Sequence, residues 1–161
     1  MINTLEIKII DQQTDNFKFD FFIDEVQLST ILGINRLTDM RFCNFDLDIF
    51  NSDKVKFPDY DRKEIVRKKI NEFTGIEKPF NQFQTDRIVL YRCHCGCDYC
   101  GIISFEIEFS DDSVFWKNIR FELDDEIETA NIKSIALLQF SKKQYLEEFN
   151  KFSRACHFET I

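Results

Sequence analysis

Apolar and polar residues alternate from the start of the chain. Leu5, Ile7 and Ile9 fall on one side of an extended segment and Glu6 and Lys8 on the other, the period of two that a half-buried strand requires. Asp11 to Asn16 reads as a turn. Phe17, Phe19 and Phe21 then alternate with Lys18, Asp20 and Phe22, so the two segments predict an antiparallel hairpin. Asp24 stands where it can cap a short helix containing Val26, Leu28, Ile31 and Leu32, with Gly33 as its stop. Residues 36–57 show no clean period, although DLDIF and KVKF have the composition of short strands. From Asp61 the period becomes helical. Asp61 and Glu64 have cap-and-N3 spacing, Ile65, Val66, Ile70 and Phe73 form one stripe, and Gly75 follows the end. The opposite face carries Arg62, Lys63, Arg67, Lys68 and Lys69.

The second half predicts a meander. Residues 86–93, 102–109 and 114–123 are rich in β-branched and aromatic side chains, and Ser110 to Ser113 separates the last two. Ile103, Phe105, Ile107 and Phe109 share a face with Phe115, Ile119 and Phe121 of the next strand; Ser104, Glu106 and Glu108 lie opposite. Residues 135–140 suggest a further strand. Ser141 and Gln144 give a capping-box signal for a closing helix, whose stripe is Tyr145, Phe149, Phe152 and Cys156. The expected class is α+β: an antiparallel β-meander sheet of five to seven strands with a Phe-rich face packed against two or three helices, in a single domain over 1–161.

Composition sharpens this picture. With 161 residues, 19 Phe and only 4 Gly and 2 Pro, the chain can bury a core of large side chains. No stretch is apolar enough to span a membrane, and MINTLEIKIIDQQT lacks the basic and apolar regions of a secretory signal, so a cytoplasmic location is expected. The net charge of −8 opposes nucleic-acid binding, with the basic 62–69 helix face as the only concentrated positive patch. Acids concentrate between 104 and 128. Glu106, Glu108, Asp111, Asp112, Asp124 and Asp125 define a candidate partner-binding surface. Trp116, with Tyr91 and Tyr99, reads either as a ring cluster anchoring that partner or as core.

The densest chemistry is Cys93–His94–Cys95–Gly96–Cys97–Asp98–Tyr99–Cys100–Gly101, between two strong strands. Thiolates are preferred zinc ligands, and Cys97 and Cys100 have the C-x-x-C spacing that wraps a metal, so Cys93, Cys95, Cys97 and Cys100 are a candidate Cys₄ zinc site with His94 to spare. One tight loop seldom aims four side chains inward, and the other reading is of small thiols packing a hairpin tip, with Cys93 and Cys100 as the pair placed to oxidise across it. Cys156 and His157 are the other compact ligand pair. Adjacent strand residues point to opposite faces, which makes Cys93 and His94 poor partners for nucleophilic catalysis. Phosphate-loop, dinucleotide, zincin and nucleophile-elbow motifs are absent, and no catalytic residue is expected.

The run Leu90–Tyr91–Arg92–Cys93–His94–Cys95–Gly96, followed by Cys100–Gly101, resembles the LY-x-C-x-C-G-x-x-x-C-G segment of small uncharacterised bacterial proteins. Val114 to Ile119 and Phe140 to Leu146 resemble the aromatic strand and last helix that follow it there. Cys97 and Tyr99 depart from that pattern, and the resemblance implies no specific activity. Two functional expectations result. The first is a non-enzymatic protein-binding protein, most concretely an immunity-type inhibitor covering the basic active site of a toxin. The second is a zinc-binding module built on the cysteine hairpin.

Overall fold

The computed structural model describes residues 1–13, 16–39, 41–43, 62–122 and 132–155. The suggested strands in DLDIF and KVKF, the Asp61 cap, Asp124, Asp125, Cys156 and His157 lie outside the described residues.

The expected N-terminal hairpin is present. Strand β1 (Leu5–Gln13) pairs antiparallel with β2 (Asn16–Ile23), with Leu5 opposite Ile23 and Ile7 opposite Phe21. A register shift between Ile9 and Asp11 breaks the alternation, and Ile9 is left exposed while Leu5 is buried. Asp24 does not cap a helix. Asp24 and Glu25 both have positive φ, 50° and 71°, and make the two-residue turn into a short third strand, β3 (Val26–Gln27). The Asp24 carboxylate instead accepts from the Thr4 backbone N–H at 2.8 Å and from Asn3 Nδ2 at 2.7 Å, tying this turn to the start of β1. Helix α1 (Leu28–Leu32) follows and ends, as expected, at Gly33.

Helix α2 (Arg62–Phe73) buries Val66, Ile70 and Phe73. Gly75 closes it with φ 78°, a conformation that favours glycine, and a Cβ there would stand 2.7 Å from the Phe109 ring, which would have to shift. Lys69, read from the sequence as part of the solvated basic face, is buried instead. Its ammonium lies 3.9 Å from Glu72 Oε1 and over the Phe73 ring.

The meander forms a second antiparallel sheet in the order β4 (Ile88–Arg92), β5 (Ile102–Phe109), β6 (Ser113–Glu122), β7 (Ile135–Ser141). The fold is therefore α+β with a Phe-rich core. Its seven described strands divide into sheets of three and four where a single sheet was expected. The sheets touch at a parallel bridge between Asn3 and Phe140. Helix α3 (Lys142–Ala155) buries Tyr145, Phe149 and Phe152 between them. Ser141 Oγ accepts the Gln144 N–H at 3.5 Å, which is half of the predicted capping box. The Gln144 side chain goes elsewhere. Its amide brackets Leu5 of β1, donating to the Leu5 carbonyl at 2.6 Å and accepting from its N–H at 3.2 Å, while Glu148 one turn on accepts the Ile7 N–H at 2.8 Å. Helix side chains thus cover the open edge of β1 and occupy hydrogen-bonding groups that would otherwise invite another strand.

Strand β6 inverts the expected faces at one point. Glu106 pairs with Lys117 and Ser104 with Arg120, so two residues of β6, Asn118 and Ile119, oppose Phe105 alone, and Asn118 has φ 52°. The extra residue shifts the alternation by one. Ile119 faces the core as expected, but before the bulge it is Val114 and Trp116 that turn inward, leaving Phe115 half-buried. Trp116 is fully buried and does not belong to a partner-binding surface; Tyr91 is buried as well. The indole N–H donates to Tyr145 Oη at 3.1 Å, and that hydroxyl donates to the Phe73 carbonyl at the end of α2 at 2.8 Å.

Tyr145→Phe leaves the Trp116 N–H and the Phe73 carbonyl without this partner and is expected to cost about 1–3 kcal/mol in urea unfolding. Lys143→Ala, exposed on the same helix, should stay within about 0.5 kcal/mol.

Candidate functional site

Strand β4 ends at Arg92, and the chain turns at once: the Gly96 N–H donates to the Cys93 carbonyl at 2.8 Å and Gly96 has φ 78°. A single 3₁₀ turn, Asp98–Cys100, follows, and Gly101 (φ 106°) leads into β5. The tip is anchored from outside. Asp98 is fully buried; its Oδ2 accepts the Gln82 backbone N–H at 2.7 Å, while Gln82 Oε1 accepts the Asp98 N–H at 2.8 Å. Gln82 Nε2 donates to the Gly96 carbonyl at 3.1 Å, and Arg92 Nε forms an ion pair with Asp98 Oδ1 at 3.0 Å. Nothing in the sequence pattern marked Gln82. Asp98 stood within the loop, but its burial was not legible there.

This turn brings three of the four predicted ligands together. The sulfur atoms of Cys93, Cys95 and Cys100 lie within 4.8 Å of one another, with Cys93 buried and the other two exposed. Cys95 Sγ and Cys100 Sγ are 3.6 Å apart, so the thiols placed to oxidise across the tip include Cys95 as well as the pair read from the sequence. Cys97 lies outside the group. The left-handed Gly96 reverses the chain between Cys95 and Cys97, and Cys97 then takes an extended conformation (φ −98°, ψ 120°) ahead of the 3₁₀ turn, so the C-x-x-C spacing does not wrap a shared centre. His94 Nδ1 is 3.5 Å from Cys93 Sγ and is also not part of the three-sulfur group.

The thiols perturb one another. Cys95 is held below the ordinary thiol range, first by the Cys97 backbone N–H and then by the Cys93 side chain, which favour its thiolate. Cys100 is pushed up to about 12, first by its hydrogen bond with Cys95 and then by Cys93. Cys95 and Cys100 are thus perturbed in opposite directions, and a cation bound there would compete with protons for the same sulfurs.

The acidic face is more nearly neutral than its sequence. Glu108 is ion-paired with Lys117; Arg120 holds Glu122 at 3.2 Å. Arg87, almost fully buried at the start of β4, reaches Glu106 Oε1 and Glu122 Oε1, each at 3.2 Å. It also donates to Ser104 Oγ at 2.9 Å, to the Ser104 carbonyl at 2.8 Å and to the Asn118 carbonyl. The guanidinium therefore occupies acceptors at the β-bulge. Burial lowers its pKa, partly opposed by Glu122. Asp111 and Asp112 remain exposed at the β5–β6 tip, where Asp112 Oδ1 accepts from the Ser110 and Ser113 hydroxyls at 3.4 and 3.3 Å. Tyr99 is 53% exposed, its hydroxyl donating to the Gln82 carbonyl at 3.2 Å. Among the described residues no helix is long and apolar enough to cross a membrane.

No family model, curated protein or solved structure matches the chain, which leaves the geometry of the site as the ground for its chemistry.

Removing the Asp98 carboxylate breaks its buried ion pair with Arg92 and takes away the acceptor of the Gln82 N–H. Asp98→Ala is expected to lose about 3 kcal/mol in urea unfolding, and Asp111→Ala, at the exposed tip, no more than about 0.5 kcal/mol.

Proposed function

We propose that this protein is a binding domain for a thiophilic metal ion, held by Cys93, Cys95 and Cys100 at the tip of the β4–β5 hairpin. The observation that carries this reading is the convergence of three sulfurs within 4.8 Å on a loop whose backbone is fixed by groups outside it. Metal–sulfur bonds of about 2.3 Å place ligand sulfurs roughly 4 Å apart, so the loop needs only small adjustments to receive an ion. Zinc is the ion to try first. The reduced protein should take up one equivalent, read by native mass spectrometry, and Cys95→Ser with Cys100→Ser should abolish uptake while leaving the circular dichroism unchanged, since both side chains are exposed. Failure of the reduced protein to retain any thiophilic ion would end this reading.

A protein-binding role for the acidic face, in the immunity manner, comes second. It is favoured by Asp111 and Asp112, which project together at the β5–β6 tip, whereas Glu106, Glu108 and Glu122 are already matched by cations. A basic partner, such as a toxin domain, should co-purify with the wild-type chain from its native host and be lost on Asp111→Lys with Asp112→Lys. Retention of the partner in that double variant would remove the acidic tip from the interface.

A further inference from the structure

Resting on the metal-binding reading, we propose that the hairpin is selective for copper(I), bound by Cys93, Cys95 and Cys100 alone, in preference to zinc. The argument is one of ligand count. Zinc in a closed protein site takes four side chains in a tetrahedron, and zinc with three keeps a water in the fourth place. Copper(I) is softer, is filled in its d shell, and is satisfied by three thiolates in a plane.

Among the described residues, the other ligand-type side chains of the loop lie outside the three-sulfur group. Cys97 precedes the 3₁₀ turn in extended conformation, and its carbonyl accepts the Cys100 N–H at 3.3 Å. The residues on either side of it are anchored: Gln82 holds the Gly96 carbonyl, and Asp98 is buried and bracketed by Gln82 and Arg92. His94 follows Cys93 directly, and its Nδ1 lies near the Cys93 sulfur outside the three-sulfur group. The Asp98 carboxylate is committed to the Gln82 N–H and to Arg92. Any backbone shift that brought Cys97 in as a fourth ligand would work against these anchors, and trigonal closure by the three converged sulfurs makes no such demand.

Exposure adds a second argument. Cys93 is buried at the base of the site while Cys95 and Cys100 face solvent, so the ion is held from below and left open above. A three-coordinate thiolate complex exchanges by admitting a further thiol, and the open side admits one.

The test uses the full chain, reduced and anaerobic. Zinc-loaded protein is titrated with copper(I) buffered by bathocuproine disulfonate, with released zinc followed by a chromogenic chelator and the bound metal examined by X-ray absorption. The proposal expects one copper(I) per chain, stoichiometric zinc release and three sulfur scatterers. The same result is expected in Cys97→Ser and in His94→Ala, with loss of stoichiometric copper(I) binding in Cys100→Ser. Zinc retained against copper(I), four sulfur scatterers, or weakened binding in Cys97→Ser would overturn the selectivity while leaving metal binding in place. Binding of neither ion would instead remove the reading on which it rests. Unchanged circular dichroism in the three variants separates ligand loss from misfolding.

Discussion

The indole of Trp116 is the contact on which the two halves of the molecule depend. Its ring meets Phe21 of the first sheet at 5.5 Å and Phe105 and Phe140 of the second at 4.4 and 5.3 Å, with Phe73 of α2 at 5.8 Å and Tyr145 of α3 at 6.2 Å. A single side chain thus touches both sheets and both long helices. Its N–H is satisfied by Tyr145, which in turn holds the last carbonyl of α2. A buried ring pair is worth about 0.5–1.5 kcal/mol beyond the area it removes from water. The chain hydrogen-bonded from indole to hydroxyl to carbonyl adds direction to that packing, since only one placement of α2 and α3 completes it.

That placement depends on the bulge at Asn118. A continuous β6 would turn Phe115 inward and carry Trp116 to the surface. One inserted residue reverses this, and Arg87 makes the insertion tolerable by donating to the Asn118 and Ser104 carbonyls around it. The same guanidinium reaches out to Glu106 and Glu122. One buried cation therefore links the two faces of this sheet, and Glu106 and Glu122 of the acidic outer face serve to hold it in place.

The parts of the fold written in local periodicity were legible in the sequence: the Phe17 to Phe21 alternation, the α2 stripe ending at Phe73, the meander, and the Tyr145, Phe149, Phe152 face of α3. Alternation says nothing about a register shift, because the pattern on each side of a bulge is internally consistent, and so Phe115 and Trp116 exchanged faces. Asp24 has the chemistry of a helix cap and also of a two-residue hairpin turn, and only the pairing of Ile23 with Val26 decides between them. The division into two sheets goes with α3 covering the β1 edge through Gln144 and Glu148, contacts that span more than a hundred residues and leave no local pattern. At the cysteine loop, residue type and location were legible, but convergence was not. Spacing favoured Cys97 with Cys100, whereas the left-handed Gly96 and the buried Asp98 select Cys93, Cys95 and Cys100.

The relation between core and loop bears on what the site is for. Small domains held together by zinc use the ion as a staple because they lack a core, and their ligands are fully enclosed. Here a core running from Leu5 to Phe152 is already in place, and the loop is anchored by Gln82, Arg92 and Asp98. Of the three thiols assembled on this scaffold, Cys93 is buried and packs with the fold. Cys95 and Cys100 stand in solvent, where packing does not account for them. On the proposed metal-binding reading, an ion content with three sulfurs would arrive and leave at this exposed tip without disturbing the domain beneath.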